Sequence, residues 1–200
     1  SNLSRIAEEE GMFAFRITKD VDAFSDVTLK QALDLVSAKT NLWGSLPCTP
    51  WTQLTNINMR HPGFAKKLAI QRARSLHLLR RFISLAEKVL AAGGSVSFEW
   101  PKSAFGWKIP ELVEFIGKWG LKEVCFDGCA VGLEFPQGKI RKPWRVVTSK
   151  QGIVDALQPH QCVCPKGSHL KCEGKFTAMS AFYPEQMCKH IIPQIDHSNS

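Results

Sequence analysis

Residues 93–101 read Gly-Gly-Ser-Val-Ser-Phe-Glu-Trp-Pro, and the order of secondary structure turns on them. Upstream lies one long predicted helix, Gly63–Ala92, which the two glycines stop. Downstream, Ser95–Trp100 reads as a strand that Pro101 cuts off. Helix followed directly by strand is the unit of an α/β fold, and the same alternation recurs on both sides. Toward the N-terminus, residues 3–10 form a short helix broken by Gly11, Met12–Thr18 alternates like a strand, and Asp20–Ser25 is a loop. Ser25 or Asp26 then caps a helix over Val27–Ala38, a brief strand covers Asn41–Leu46, and Thr49–Pro62 is a loop. Toward the C-terminus come a helix over Pro110–Trp119, strands over Glu123–Asp127 and Trp144–Ser149, and a helical turn over Ile153–Leu157. Crossover helices of this kind predict a mostly parallel, Rossmann-like sheet over residues 1–157. Residues 158–195 read as a small Cys/His-rich appendage and 196–200 as a disordered tail.

The chain carries 26 lysines and arginines against 18 acids, a net charge of +8. That excess points to a polyanionic partner, nucleic acid rather than a membrane. The basic residues cluster between Arg60 and Arg81 and between Lys139 and Lys150. Arg72, Arg74, Lys142 and Lys171 are the expected phosphate contacts, with solvated helix faces as the plainer alternative. No apolar run is long enough to cross a bilayer, and the polar Ser1–Gly11 is no signal peptide. An intracellular protein is expected, nuclear if the source is eukaryotic. Neither G-x-G-x-x-G nor G-x-x-x-x-G-K-[ST] occurs, so a conventional phosphate cradle is missing.

Seven cysteines in a chain with no secretory leader suggest metal or thiol chemistry rather than disulfides. Cys162, Cys164, His169 and Cys172 form C-x-C-x4-H-x2-C, a donor set suited to tetrahedral zinc. One residue between the first two cysteines strains joint ligation, and Cys188 or His190 are possible replacements. A loop of reduced thiols is the other reading.

Three strand ends hold chemistry. Cys48 follows Pro47 on the loop leaving a strand, Glu99 closes an apolar strand, and Arg145 opens another. A structural cysteine explains Cys48 alone. Together, a thiol nucleophile, a carboxyl to hydrogen-bond a base and a guanidinium to hold a carbonyl form a coherent set.

That set resembles the cytosine-C5 DNA methyltransferases. The matching pieces are Pro47-Cys48, Phe98-Glu99-Trp100-Pro101, and Pro136-Gln137 with Arg141 and Arg145 before Val146-Val147. Ser25-Asp26-Val27-Thr28 looks like the segment whose aspartate holds the cofactor adenine. The resemblance implies a class-I methyltransferase core and S-adenosylmethionine held by Asp26 and Pro47. It also implies a Cys48 thiolate adding to C6 of a flipped-out cytosine, with Glu99 at N3 and Arg145 or Arg141 at O2. DNA rather than RNA would be the substrate. The family's opening strand and glycine-rich loop are not in this chain, Trp100 replaces an asparagine, and Pro143 separates the arginines. Another chain or a precursor segment is then expected to complete the sheet, and compact segments of mobile-element polyproteins are similar in this respect. The alternatives are a catalytically silent nucleic-acid-binding module on the same fold, and a zinc-stabilised interaction domain in which Cys48 is structural.

Overall fold

The computed structural model describes residues 2–18, 23, 25–53, 55, 61 and 63–195. Parts of the expected loops at 20–25 and 49–62, the expected basic residue Arg60 and the expected tail at 196–200 lie outside the described residues. Helices α1 (Asn2–Glu9) and α2 (Asp26–Asp34) precede strand β1 (Asn41–Gly44). Helix α3 (Phe64–Ala91) leads into β2 (Ser95–Pro101), and α4 (Pro110–Lys118) into β3 (Lys122–Asp127). A two-stranded ribbon, β4 (Glu134–Phe135) and β5 (Gly138–Lys139), stands before β6 (Pro143–Thr148). Helices α5 (Gln151–Leu157), α6 (Lys175–Met179) and α7 (Glu185–Ile195) follow.

The main sheet has the order β1-β2-β6-β3. β1 and β2 are parallel, but β6 is antiparallel to both of its neighbours, β2 and β3. The expectation of a mostly parallel, Rossmann-like sheet with a class-I methyltransferase core is therefore overturned: the sheet is mixed. The reason lies in the connections. Helix α3 is long enough to carry the chain back across the sheet, as a parallel pair requires. The segment between Asp127 and Pro143 holds only a 3-10 turn, Gly128–Val131, and the β4–β5 ribbon. Without a crossover helix the chain returns antiparallel.

Each face of the sheet has its own core. Alternate side chains of β2, Val96, Phe98 and Trp100, pack with Leu79, Phe82, Val89, Leu112 and Phe115 of α3 and α4. The opposite face buries Val124, Phe126, Trp144 and Val146 under α1, α5 and α7. Helix α7 contributes Met187, Cys188, Ile191 and Ile192 to that second core. The end of the segment read from sequence as an appendage thus shares a core with the N-terminal helix. At β1 helix and sheet lie in close contact: a Cβ on Gly44 would lie 2.4 Å from the Phe82 ring. No helix is long and apolar enough to cross a membrane among the described residues.

Met12–Thr18, expected as a strand, has no regular secondary structure, and Phe13 and Phe15 face solvent. Gly63 and Gly93-Gly94 bound α3 within a residue of the expected limits.

Candidate metal centre at the carboxyl edge of the sheet

Because β6 runs against β2 and β3, its first residues meet the last residues of those two strands, and β1, parallel to β2, ends toward the same edge. This edge gathers Cys48 beyond β1, Glu99 near the end of β2, Asp127 at the end of β3 and Lys142 just before β6. Cys129 lies in the 3-10 turn that follows β3 and is buried. Its donor atom and those of Cys162, Cys164 and His169 all lie within 4.8 Å of one another. The Cys162 Sγ to His169 Nε2 separation is 3.4 Å. These four residues could hold a metal ion.

The backbone explains how a loop reaches that arrangement. The Asp127 N–H donates to the His160 carbonyl at 2.9 Å, and the Cys162 N–H donates to the Asp127 carboxylate at 2.9 Å. Gln161 Nε2 donates to the Cys125 carbonyl at 2.8 Å, pinning the loop along β3. Val163 is 94% exposed, so the residue between Cys162 and Cys164 turns outward while both thiols turn in. A turn through Gly167, with φ +84°, returns the chain so that His169 faces the sulfurs. Asp127 is buried and also holds Arg141, whose Nε lies 3.0 Å from the carboxylate. One carboxylate therefore fixes the loop backbone and a guanidinium beside it, as outer groups around a metal site do. Burial, and then hydrogen bonding to Cys162, pushes the Cys129 thiol up to about 12. Cys162 is held below the ordinary thiol range, chiefly by the backbone N–H of Cys164.

Cys172, expected as the fourth donor, lies outside this group: it is exposed, with Sγ 3.3 Å from Ser180 Oγ. Cys129 holds the fourth place instead. Its only signal in the sequence is position, one residue past the Gly128 that ends a strand at the same edge as the Cys/His loop.

The expected catalytic set does not assemble. In the β2–β6 register Glu99 is paired with Val146 and Trp100 with Arg145. Neighbouring residues of a strand point to opposite faces, so Glu99 and Arg145 lie on different sides of the sheet. Glu99 is buried, and its Oε2 accepts the Tyr183 hydroxyl at 2.6 Å and the Ser45 hydroxyl at 3.0 Å. Tyr183 in turn accepts from Trp43 Nε1 at 3.1 Å. Burial raises the Glu99 carboxyl above its usual range. Arg145, on the far side, pairs with Glu123 at 2.5 Å and stacks 4.4 Å from the Trp107 ring centre. Arg141 serves Asp127. Cys48 is partly buried against the α3–α4 core, and burial followed by the nearby Glu99 charge raises its thiol. An activated nucleophile needs the reverse shift.

The remaining expected residues have other partners or stand free of the site. Asp26 begins α2 and bonds Arg81 Nη1 at 2.7 Å, while Pro47 is exposed on the loop after β1. With Asp26 committed to Arg81 and no glycine-rich turn before α2, these residues do not fit S-adenosylmethionine. Lys142, at φ +27°, donates to the Ser180 carbonyl at 2.5 Å. Lys171 is exposed on the Cys/His loop, and Arg74 is exposed on α3. Arg72 donates to the Pro50 carbonyl at 3.2 Å and lies over the Trp51 ring at 5.3 Å. No family model, no curated protein and no solved structure matches this chain.

Proposed function

We propose that this chain is a zinc-stapled α/β binding module, in which Cys129, Cys162, Cys164 and His169 take one zinc ion. The observation that carries this reading is the convergence of three thiols and one imidazole within 4.8 Å. Tetrahedral zinc with these ligands places donor atoms roughly 3.5–3.8 Å apart, and the 3.4 Å sulfur–nitrogen contact is of that size. Four protein donors leave no position for water or substrate, the pattern of structural rather than catalytic zinc. The ion would supply a rigid junction between the end of β3 and the 160–170 loop, a stretch with few apolar side chains of its own. Cytosine methyl transfer is less well supported, because Glu99 and Arg145 face opposite sides of the sheet.

Metal content of the purified chain tests the assignment. One zinc per chain is expected, retained in Cys172→Ser and reduced to below about one fifth in Cys129→Ser and in His169→Ala. Equal zinc in Cys129→Ser, or its loss in Cys172→Ser, would overturn the ligand set.

A further inference from the structure

Helix α3 is far longer than the sheet it covers. Its 28 residues span about 42 Å at 1.5 Å per residue. The longest strand has seven residues, about 23 Å. The buried side chains bunch accordingly: Leu79, Phe82, Leu85, Ala86 and Val89 lie in the C-terminal half, against only Leu68 and Ser75 in the N-terminal half. The N-terminal half is therefore a largely solvated arm. It is also braced, since Arg72 reaches the Pro50 carbonyl and the Trp51 ring, while Trp51 Nε1 donates to Ser75 Oγ at 2.8 Å.

Charge is divided along α3 in the same way. No aspartate or glutamate occurs from Phe64 to Ala86, and the first acid is Glu87. The cations near the core receive acids from elsewhere in the fold: Arg80 pairs with Glu111 at 2.7 Å and Arg81 with Asp26 at 2.7 Å. Lys66, Lys67 and Arg74 have no such acid among the described residues. With Ile70 and Gln71 they lie along one side of the helix, beginning at Gly63. Positions 63, 66, 67, 70, 71 and 74 fall on a single helix stripe.

We infer that the N-terminal half of α3 is a nucleic-acid-binding helix that enters the major groove of duplex DNA. Lys66 and Lys67 contact the phosphates, and Gln71 and Arg74 face the base edges. A helix with its side chains is 10–12 Å across, the width of the B-form major groove. The A-form groove of duplex RNA is too narrow to admit it. Glutamine and arginine are side chains that pair in two-point fashion with adenine and guanine. The half-exposed Ile70 beside Arg74 on the stripe offers an apolar contact for a thymine methyl. Arg72 takes no part, because it braces the helix from behind. The stripe contributes no donor to the metal group, so this inference stands or falls apart from the zinc reading.

The test is salt-dependent anisotropy with a mixed-sequence 25-base-pair DNA duplex and the full chain. Lys66→Gln/Lys67→Gln is compared with Lys39→Gln/Lys122→Gln, a pair of equal charge on exposed positions elsewhere. Each lost phosphate contact lowers the slope of log K against log salt by about 0.9. The α3 pair is expected to flatten the slope by about two and weaken binding by about tenfold or more at 0.1 M salt. The control pair is expected to leave both nearly unchanged. Glutamine keeps lysine's helix propensity, and a benzophenone side chain at position 70 of the otherwise unaltered chain should crosslink to the duplex. Equal slopes for the two pairs, no crosslink at position 70, or duplex RNA bound as tightly as DNA would each overturn the assignment.

Discussion

Glu99 is a carboxyl in an apolar strand with two hydroxyls aimed at one of its oxygens, and its raised pKa has a direct consequence for stability. A carboxyl whose folded pKa lies above its unfolded value holds its proton more tightly in the native state. Between the two values the native state binds more protons, so stability falls as pH rises through that window and is level above it. Glu99→Gln keeps an acceptor for Tyr183 and Ser45 and removes the titration. In urea titrations this variant is expected to gain on the parent as pH rises above about 4.5, the ordinary glutamate value. A constant difference across that range would show that Glu99 does not titrate with folding. Glu99→Leu leaves both hydroxyls without their acceptor and is expected to cost about 1–3 kcal/mol. The sequence made Glu99 conspicuous but left its role open, because an acid inside an apolar strand needs a partner that only the fold supplies. Tyr183, the partner, lies 84 residues away. Cys129 was hidden for the same reason: the Cys162–Cys172 spacing is complete by itself, and a donor from another strand end carries no local pattern.

Elements bounded by strong local signals were the legible part. Helix α3, stopped by two glycines, and β2, closed by Pro101, fall where the sequence places them, and so does α4 behind its Pro110. Met12–Thr18 alternates like a strand but finds no neighbour in either sheet, and alternation alone does not supply a hydrogen-bonding edge. The direction of β6 is not written in its residues; it follows from the missing crossover helix after β3. The contact of α3 with β1 is a direct test of element packing. Gly44→Ala would drive a methyl to 2.4 Å from the Phe82 ring and 2.9 Å from Phe98. Overpacking of this kind is expected to destabilise by about 1–3 kcal/mol, read from the urea midpoint at unchanged m-value. Loss of less than about 0.5 kcal/mol would show that α3 slides freely over β1.

At the scale of the molecule, two cores share one sheet, and the Cys/His loop is fastened to the end of its edge strand. If zinc binds the native state at about a thousand times its Kd, the linkage is worth about 4 kcal/mol. For a chain of this size, a strong chelator is then expected to lower Tm by roughly 8–16 °C. Cys172→Ser should respond like the parent, and Cys129→Ser should start low and ignore the chelator. A parent whose Tm is indifferent to chelation would remove the staple from the account of stability. The insertion of β6 between β2 and β3 also imposes an order on biosynthesis. When the ribosome has released β3, that strand has no partner, for β2 never touches it. β3 stays an orphan until β6 emerges about a second or more later, at translation rates of roughly 5–20 residues per second. The nascent sheet is then completed by one late wedge that joins both waiting strands at once. Chains truncated before Pro143 should remain protease-sensitive throughout β3, and those extended past Thr148 should not.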